Sequence, residues 1–495
     1  MIVEHLPALQ VVIPLLAAPV IVLLRGGRAG WLIATLVSWA ALGIAVALLI
    51  QVQSTGVISY AIGNWPPPWG IEYRVDAVNA FVLVLVSLIA AVVLPYARPS
   101  IAAEVPSDRH YLVYAMFVLC LCGLLGMAIT GDAFNIFVFL EISSLSGYVL
   151  IALGRNRRAL HAAFQYLIMG TIGATFYIIG VGLLYLMTGT LNLADMAARI
   201  ADVGETRPVL AALAFITVGL SLKMALFPLH VWLPGAYSGA PTAVAAFMAG
   251  TATKVSLYVL MRFVFGIFGM RLDLSALPLL DMLAVLSAAA MIVASLVAVF
   301  ERDLRRLLAY SSVAQIGYIT LGLSLANAEG MTASVVHLFN HAIAKTALFM
   351  LVGGILLRAG SDRLDVLAGL ARRMPLTCAA VVVAGLSLIG VPGTAGFITK
   401  WHLVLGAVQD GHWWMVAAIA ASSLLAAAYV WRFVEMAYLR PDTTAKAGEV
   451  HMEAPLAWLV PALLMVAASV YFGLDTSWSL GSAREAAAVL MEGLR

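Results

Sequence analysis

Apolar stretches, each long enough to cross a lipid bilayer, follow one another along nearly the whole chain, and several carry a charged residue well inside. Of the 495 residues, 63% are hydrophobic and 11% are charged, whereas soluble domains average about 25% charged residues. A helix of about 20 apolar residues spans the hydrocarbon core. We therefore expect an integral membrane protein. The sequence lacks the strand alternation of outer-membrane barrels, so the predicted fold is all-α.

The apolar runs separate into about fourteen membrane-spanning helices. Their predicted ranges are 5–24, 31–52, 76–97, 110–130, 132–154, 162–187, 208–230, 241–267, 276–300, 305–326, 331–358, 376–402, 412–437 and 455–475. The first span has no charged segment before it and no small-residue cleavage site after it. We expect it to remain as a membrane anchor.

Positively charged residues are concentrated in alternate loops. The loops after odd-numbered spans carry Arg25, Arg28, Arg98, Arg109, Arg155, Arg157, Arg158, Arg302, Arg305, Arg306, Arg358, Arg363, Arg372, Arg373, Arg440 and Lys446. The loops after even-numbered spans carry Arg74, Arg199, Arg207 and Arg271. By the positive-inside rule the odd loops are cytoplasmic, which puts both termini on the opposite, outer side of the membrane. The dispersion of these residues over thin loops argues against nucleic-acid binding.

One outer loop differs from the others in composition. Residues 57–76 place aromatic and β-branched residues around Asn64 and a run of prolines, which predicts a short β-hairpin. Trp65 and Trp69 are expected to anchor it at the membrane interface. We expect a role in packing or subunit contact for this hairpin rather than a catalytic one.

Two predicted spans contain helix breakers beside a lysine. Pro228 follows Lys223 in the seventh span, and a Gly/Pro cluster beginning at Gly390 precedes Lys400 in the twelfth. Paired interruptions of this kind indicate inverted repeats, although membrane helices also contain prolines without functional roles. The predicted organisation has four parts: 1–109 with three spans and the hairpin, 110–267 and 268–437 as two inverted five-span units, and 438–495 as the last span and tail.

Charged residues inside the spans are candidates for ion or proton transfer. Glu141, Lys223, Lys254 and Lys400 lie within predicted helices, where each charge costs roughly 2.5–3.5 kcal/mol on insertion scales. A low dielectric favours the neutral forms unless a carboxylate and an ammonium group neutralise each other. A Glu–Lys pair can then change state when a proton or cation arrives. The alternative is a static ion pair that only fixes helix packing.

The eleventh span carries His337, His341 and Lys345. Their spacing of four residues places all three on one helix face over about 12 Å. Neutral histidine both donates and accepts hydrogen bonds, which suits a proton relay. Zinc binding by the two histidines is disfavoured, because no Cys, Asp or Glu is spaced to complete a ligand set. A packing role for one of the histidines stays open.

The sequence indicates no cofactor, no metal site and no hydrolytic or redox chemistry of its own. It contains no phosphate loop, haem-ligand motif or cysteine cluster. Its three cysteines, Cys120, Cys122 and Cys378, all lie in predicted spans. Two residues that are two positions apart on a helix point to different faces, so Cys120 and Cys122 are expected to be packing residues.

Five stretches in a fixed order carry a family resemblance. They are GDAFNIFVFLEISSLSGYVLIALG, SLKMALFPLHVWLPGAYSGAPTAVAAFMAGTATKVSLYVLMR, DLRRLLAYSSVAQIGYI, HLFNHAIAKTALFMLVGGI and GVPGTAGFITKW. On these, the chain resembles the antiporter-like subunits shared by Mrp-type cation/proton antiporters, respiratory complex I and membrane-bound hydrogenases, from about residue 110 to about residue 435. The resemblance implies fourteen helices, two inverted five-helix units and a water-filled charged axis at the membrane midplane.

The resemblance also implies roles for the buried charges. Glu141 takes the position of the family's glutamate on the fifth helix and pairs with Lys223 of the first broken helix. Lys254 corresponds to the connecting lysine, and Lys400 to the terminal lysine of the second unit. The central relay is His337 or His341.

Within the family the chain is most similar to the Mrp D subunit. Gly235 and Tyr237 stand where complex I relatives usually have an acidic residue and a histidine, and His230 matches a family histidine near the first break. The segment TGTLNLADMA at 188–197 also follows the D-subunit pattern. Gln165, in contrast, stands where relatives often have a lysine before the tyrosine. The proton entry route from the cytoplasm that the resemblance implies for the first unit therefore lacks that lysine. Arg305 replaces a lysine and keeps its charge.

The expected function is that of a proton-translocating subunit in a multisubunit antiporter that exchanges Na⁺ or K⁺ for H⁺. Its expected partners are the other subunits, the lipid bilayer, protons and the exchanged cation. The alternative is a proton-pumping subunit of a redox-driven complex of the complex I or hydrogenase kind, in which the same residues are driven by electron transfer. A third interpretation is a scaffold whose charges only tie helices together.

Overall fold

In the computed structural model, which describes residues 3–269, 278–441 and 453–492, long apolar helices cross one another as a bundle. Among the described residues, thirteen helices are long and apolar enough to span a membrane. One shorter apolar helix, Pro375–Ile389, lies among them. The predicted all-α, multi-pass fold is confirmed.

The helices of the first half follow the predicted spans closely. They are α1 (Leu6–Leu24), α2 (Gly27–Thr55), α3 (Ala77–Glu104), α4 (His110–Ile129), α5 (Ala133–Ala152), α6 (Arg158–Thr188), α7 (Leu193–Val203), α8 (Arg207–Met224), α9 (Trp232–Gly239) and α10 (Thr242–Met261). A π-helical segment, Arg262–Phe268, extends α10. The short helix α7 was not predicted, because at 11 residues it is too short to span a bilayer.

The second half of the chain is also helical. Its helices are α11 (Leu279–Ala289), α12 (Ser295–Phe300), α13 (Leu304–Ser324), α14 (Ala328–Ala359), α15 (Leu370–Arg373), α16 (Pro375–Ile389), α17 (Ala395–Gln409), α18 (Trp413–Val434), α19 (Leu456–Leu474) and α20 (Ser477–Glu492). A π-helical segment, Ala290–Ala294, joins α11 to α12. Helix α20 was not predicted. Arg271, Lys446 and the first two residues of the ninth predicted span lie outside the described residues.

Two spans are interrupted where glycine and proline predicted a break. Helix α8 ends before Ala225, whose φ of 59° is left-handed, and the chain resumes as α9 at Trp232. Helix α16 ends before Gly390, which has a φ of 86°, and the chain resumes as α17 at Ala395. Left-handed residues end helices because they leave the helical hydrogen-bond ladder. The inverted relation between the two five-span units stays a prediction.

The predicted outer hairpin is present. Strands β1 (Ile58–Ala61) and β2 (Glu72–Val75) pair antiparallel. The buried carboxylate of Glu72 accepts hydrogen bonds from Ser59 Oγ at 2.5 Å and from Asn192 Nδ2, just before α7, at 2.8 Å. These bonds fix the hairpin to the bundle. The three cysteines are buried free thiols.

Helices α6 and α8 touch through their backbones. A Cβ atom on Gly219 would lie 2.6 Å from the carbonyl oxygen of Gly173, and one on Gly173 would lie 2.9 Å from that of Gly219. Small residues at such crossings let membrane helices approach closely. This crossing lies one turn before Lys223, so it sets the position of that lysine.

Gly219→Ala should destabilise the protein, because the added methyl group meets backbone atoms that cannot move aside. Overpacking of this kind costs about 1–3 kcal/mol. The measurement is the thermal unfolding midpoint of the purified protein in detergent. Gly182→Ala on α6 is the matched control, because a Cβ there meets nothing within 4 Å. Equal midpoints for the two variants would contradict the packing argument.

Candidate functional site

The first buried charge pair joins α5 to the end of α8. Lys223 Nζ lies 3.6 Å from Glu141 Oε1, and it donates a hydrogen bond of 2.7 Å to Ser144 Oγ, one turn beyond Glu141. The side chain of Lys223 is 4% exposed and that of Glu141 is 24% exposed. The predicted Glu141–Lys223 pair is therefore present, with its carboxylate on the more open side.

The helix break explains why a lysine can be held at this position. Lys223 is in the last turn of α8, where unpaired carbonyl groups give a helix end a partial negative charge that favours cations. Trp232 Nε1, at the start of α9, donates to the Leu222 carbonyl at 2.9 Å and so ties the two helix ends together.

A small cavity adjoins the Lys223 ammonium group. It has a volume of about 20 Å³ and lies between α4, α5, α6, α8 and α10. Its polar lining includes Ser143, Ser144 and Tyr166, besides Lys223 itself, and Ser256 of α10. A cavity of about 10–15 Å³ is enough for one water molecule. The space therefore allows a water contact between the lysine and α10.

Lys254 on α10 is the next charge along the bundle. Its side chain is fully enclosed, with the residue 1% exposed, and its ammonium group donates to the carbonyl of Ala249 in its own helix. Helix α10 packs against α14, the helix that carries His337, His341 and Lys345. The two helices pack directly, with Thr346 Oγ1 donating to the Ala246 carbonyl at 3.4 Å.

His337 is the centre of a hydrogen-bond network. Its Nε2 lies 2.8 Å from Gln315 Oε1 of α13, and its Nδ1 lies 3.0 Å from Thr399 Oγ1 of α17. Asn340 Nδ2 donates to Thr399 Oγ1 at 3.3 Å and to the Ala395 carbonyl at 2.8 Å. The ring is therefore held between three helices, with both nitrogens engaged.

His341 has a different environment on the same helix face. Its ring is stacked on that of His337, with centroids 5.5 Å apart and planes inclined by 7°. Neither ring nitrogen has a hydrogen-bond partner in the described part of the chain, although the residue is 1% exposed. A buried ring with two free nitrogens is a place where a water molecule or a transferred proton can be accepted.

Lys345 and Lys400 lie on the two sides of this histidine pair. Lys345 Nζ donates to the Leu308 carbonyl at 2.8 Å and to Ser311 Oγ, both on α13. Lys400 Nζ donates to the carbonyls of Leu388 at 3.1 Å and Ile389 at 2.7 Å, where α16 ends.

The Lys400 ammonium group has two further contacts that join it to the network. It donates to Ser423 Oγ of α18 at 2.8 Å and lies 4.6 Å from the ring centroid of Tyr318. Tyr318 also faces His337, at a centroid distance of 6.1 Å. The aromatic ring thus separates the histidine from the last lysine.

The structure therefore brings most of the predicted site residues into one ordered series. Its members, from α5 to α17, are Glu141, Lys223, Lys254, Lys345, His341, His337 and Lys400. The zinc alternative gains no support, since no cluster of three or more potential ligands exists among the described residues.

His230 lies apart from the series. It is in the break between α8 and α9, stacked on Phe227 with centroids 5.4 Å apart, and its ring faces Tyr310 of α13 at 6.3 Å. No hydrogen bond joins it to Lys223 or to the described histidines of α14. Its predicted role in proton transfer stays a prediction.

Neutral polar partners complete the site, and the sequence argument missed them. They are Ser144, Gln315, Thr399 and Ser423, each hydrogen-bonded to one of the charged or histidine residues. Gln315 is the most recognisable of them in hindsight, because a glutamine is unusual inside an apolar span. Serine and threonine carry no comparable signal, since their hydroxyl groups often bond only to their own helix.

The comparison with known families identifies the class of protein. Residues 130–426, more than half of the chain, match the family described as NADH:quinone oxidoreductase/Mrp antiporter, transmembrane. The chain belongs to this family. The matched region includes every residue of the series from Glu141 to Lys400, and the resemblance inferred from the five stretches is confirmed.

Relatives within the family are named as subunits of two kinds of complex, an NADH-quinone oxidoreductase and a Na⁺/H⁺ antiporter. The N subunit of the NADH-quinone oxidoreductase of Desulforudis audaxviator is 44% identical over 484 residues, covering 95% of this chain and 96% of that protein. The D subunit of the Na⁺/H⁺ antiporter of Alkalihalophilus pseudofirmus is 30% identical over 382 residues, covering 77% of this chain and 76% of that protein.

The fold is also similar to that of one chain in a membrane complex of known structure. A chain in the structure of the Mrp complex from Dietzia sp. DQ12-45-1b superposes with a TM-score of 0.89 at 28% identity. The match covers 99% of this chain and 98% of the other. The similarity therefore extends beyond the family region to both ends of the bundle.

Replacement by phenylalanine should lower the stability of the protein at His337 but not at His341. His337→Phe removes the hydrogen bonds from the ring to Gln315 and Thr399 and leaves Gln315 Oε1 without its partner, and such a loss costs about 1–3 kcal/mol. His341→Phe removes two unpaired nitrogens and keeps the stacked ring, so stability should be unchanged or higher. Thermal unfolding midpoints in detergent compare the two variants. A large destabilisation by His341→Phe would mean that its nitrogens are bonded to water.

Proposed function

We propose that the protein is the proton-translocating subunit of a multisubunit monovalent cation/proton antiporter in a bacterial inner membrane. The observation that carries the proposal is the series of proton-binding groups that the bundle encloses between Glu141 and Lys400. A structural ion pair would account for the first two members. It does not account for buried lysines that follow without acidic partners.

The environment of the three later lysines supports a transport role. In the described residues, no carboxylate forms a salt bridge with Lys254, Lys345 or Lys400, and their ammonium groups are hydrogen-bonded to carbonyl and hydroxyl oxygens. Burying an ion without a counter-ion costs several kcal/mol. Each of these ammonium groups therefore carries a desolvation cost that no carboxylate of the described residues offsets, and like charges in the same interior repel one another.

The first pair would act as the switch of the series. At 3.6 Å the Lys223–Glu141 contact is longer than a direct charge-assisted hydrogen bond. Lys223 has an alternative acceptor in Ser144, so the lysine can leave the carboxylate without losing all its hydrogen bonds. Protonation of Glu141 would release the Lys223 charge toward Lys254, and this would pass the change along the series.

An exposed stripe on α5 supports the presence of partner subunits. Phe134, Val138, Leu145 and Val149 are 37–51% exposed and share one helix face with Glu141. A carboxylate facing lipid at this depth is costly. A neighbouring subunit packed on this stripe would cover the apolar residues and shield Glu141.

The orientation belongs to the same proposal. The arginine-rich loops after the odd-numbered spans support a cytoplasmic position for those loops and an outer position for both termini. The transported ions are protons and Na⁺ or K⁺. The name of the Na⁺/H⁺ antiporter relative from Alkalihalophilus pseudofirmus supports this assignment by similarity.

A second candidate is a proton-pumping subunit of a redox-driven complex. It is favoured by the 44% identity to a protein named as the N subunit of an NADH-quinone oxidoreductase. The buried series would do the same work in both cases. The source of energy would differ, because electron transfer in other subunits would replace the cation gradient.

Neutralising the first pair should abolish transport. We expect Glu141→Ala and Lys223→Ala to eliminate the Na⁺-dependent pH gradient in vesicles that contain the whole complex, because each leaves a buried charge without its partner. Glu205→Gln, in the exposed loop before α8, is the control and should transport normally. Normal transport by fully assembled Glu141→Ala and Lys223→Ala complexes would instead support a scaffold whose charges only hold helices together.

Purification of the intact complex should distinguish the two candidates. We expect small membrane subunits to copurify and the iron content to be at background, because an antiporter needs no electron carriers. Subunit identification by mass spectrometry and iron analysis are the measurements. Copurifying iron–sulfur subunits would reject the antiporter assignment in favour of the redox-driven one.

A further inference from the structure

A histidine–carboxylate pair lies outside the series, where the first turn of α14, at the end of that helix away from the arginine-rich loops, meets the middle of α17. His402 Nδ1 is 2.6 Å from Glu329 Oε2. The side chain of His402 is 9% exposed, whereas that of Glu329, in the first turn of α14, is 28% exposed. The pair therefore connects a buried position with the outer surface.

The same two helices hold the centre of the series. Thr399 of α17 is hydrogen-bonded to His337 of α14 at 3.0 Å. His402 follows Thr399 by three residues, so both lie on the face of α17 turned toward α14, about 4.5 Å apart along the helix. One water molecule is enough to bridge such a separation.

Hydrogen bonds fix the outer end of this interface between α14 and α17. Asn327 Nδ2 donates to the Gly406 carbonyl at 2.9 Å and to Asp410 Oδ2 at 2.7 Å. A Cβ on Gly406 would lie 2.9 Å from the Gly330 nitrogen, so the backbones are in close contact. The pair is thus held in position by its surroundings rather than by its own bond alone.

On the other side of α14 the outer end is closed by aromatic rings. Trp478 of α20 packs against Phe339 of α14 at 5.3 Å, Phe472 of α19 at 5.7 Å and Phe81 of α3 at 5.9 Å. Phe339 is two residues from both His337 and His341 and so points away from their face. These rings carry no group that can bind a proton, which leaves the α17 side as the polar side.

We propose that His402 and Glu329 are the outer proton exit of the series. This inference rests on the proposed function. His402 Nε2 accepts a proton that arrives from His337 through water near Thr399. His402 gives the Nδ1 proton to Glu329 Oε2, and Glu329 releases it to the outer water. Return of the ring to its starting tautomer completes the cycle.

A static role for the pair makes a different prediction. An acidic residue in the first turn of a helix is stabilised by the helix dipole, and His402 would then only anchor it. Glutamine at position 329 would preserve such an anchor, because it retains an oxygen acceptor for the histidine. It would not preserve an exit, because an amide cannot carry the proton.

The experiment uses vesicles containing the whole complex. Glu329→Gln should remove most of the Na⁺-dependent pH gradient, while Glu329→Asp, which can still be protonated, should retain a measurable part of it. Glu205→Gln, which makes the same chemical change at an exposed carboxylate in the loop before α8, is the control. It should transport like the unmodified complex. Normal transport by Glu329→Gln would overturn the proposal.

Chemical rescue tests the histidine independently. His402→Ala should transport poorly, and imidazole added to the medium should restore part of the rate, because it can occupy the vacated space and carry the proton. An assembled His402→Ala complex that transports normally, or that imidazole does not restore, would overturn the proposal. Glu141→Ala measured in parallel separates the two hypotheses, since normal transport by that variant would reject the proposed function itself.

Discussion

The structure depends on one constraint, which is that an ammonium group buried in a membrane bundle needs oxygen atoms around it. Desolvating such an ion costs several kcal/mol, and each helical carbonyl is normally bonded within its own helix. Lys400 donates hydrogen bonds to the Leu388 and Ile389 carbonyls, which have no partner within their own helix because α16 ends there. Lys223 lies at the corresponding end of α8.

Helix interruption and charge burial are therefore two aspects of one arrangement. Ala225 and Gly390 end their helices with left-handed backbone conformations, and at the second of these breaks the released carbonyl groups of Leu388 and Ile389 accept hydrogen bonds from Lys400. Between the breaks, the neutral groups of α13, α14 and α17 surround His337 with hydrogen bonds. The result is a row of proton-binding groups whose surroundings are polar without being acidic.

The span positions and the charged residues could be predicted because each is a local property of the chain. Twenty apolar residues reveal a span, and a lysine within them is conspicuous. The partners of these residues could not be predicted, because Gln315 and Thr399 reach His337 from helices distant in sequence. Helices α7 and α20 could not be predicted from the sequence, because neither has the length and apolarity of a membrane span.

The backbone contact between Gly173 and Gly219 has a consequence for how freely this sequence can change. The close approach of α6 and α8 beside Lys223 is set by main-chain atoms at Gly173 and Gly219, and the side chains on the outward faces of the two helices lie away from this contact. Those outward residues can diverge through many substitutions while the charge stays at the same level. Substitution of either glycine, in contrast, would change the spacing of the two helices and so shift the Lys223 charge.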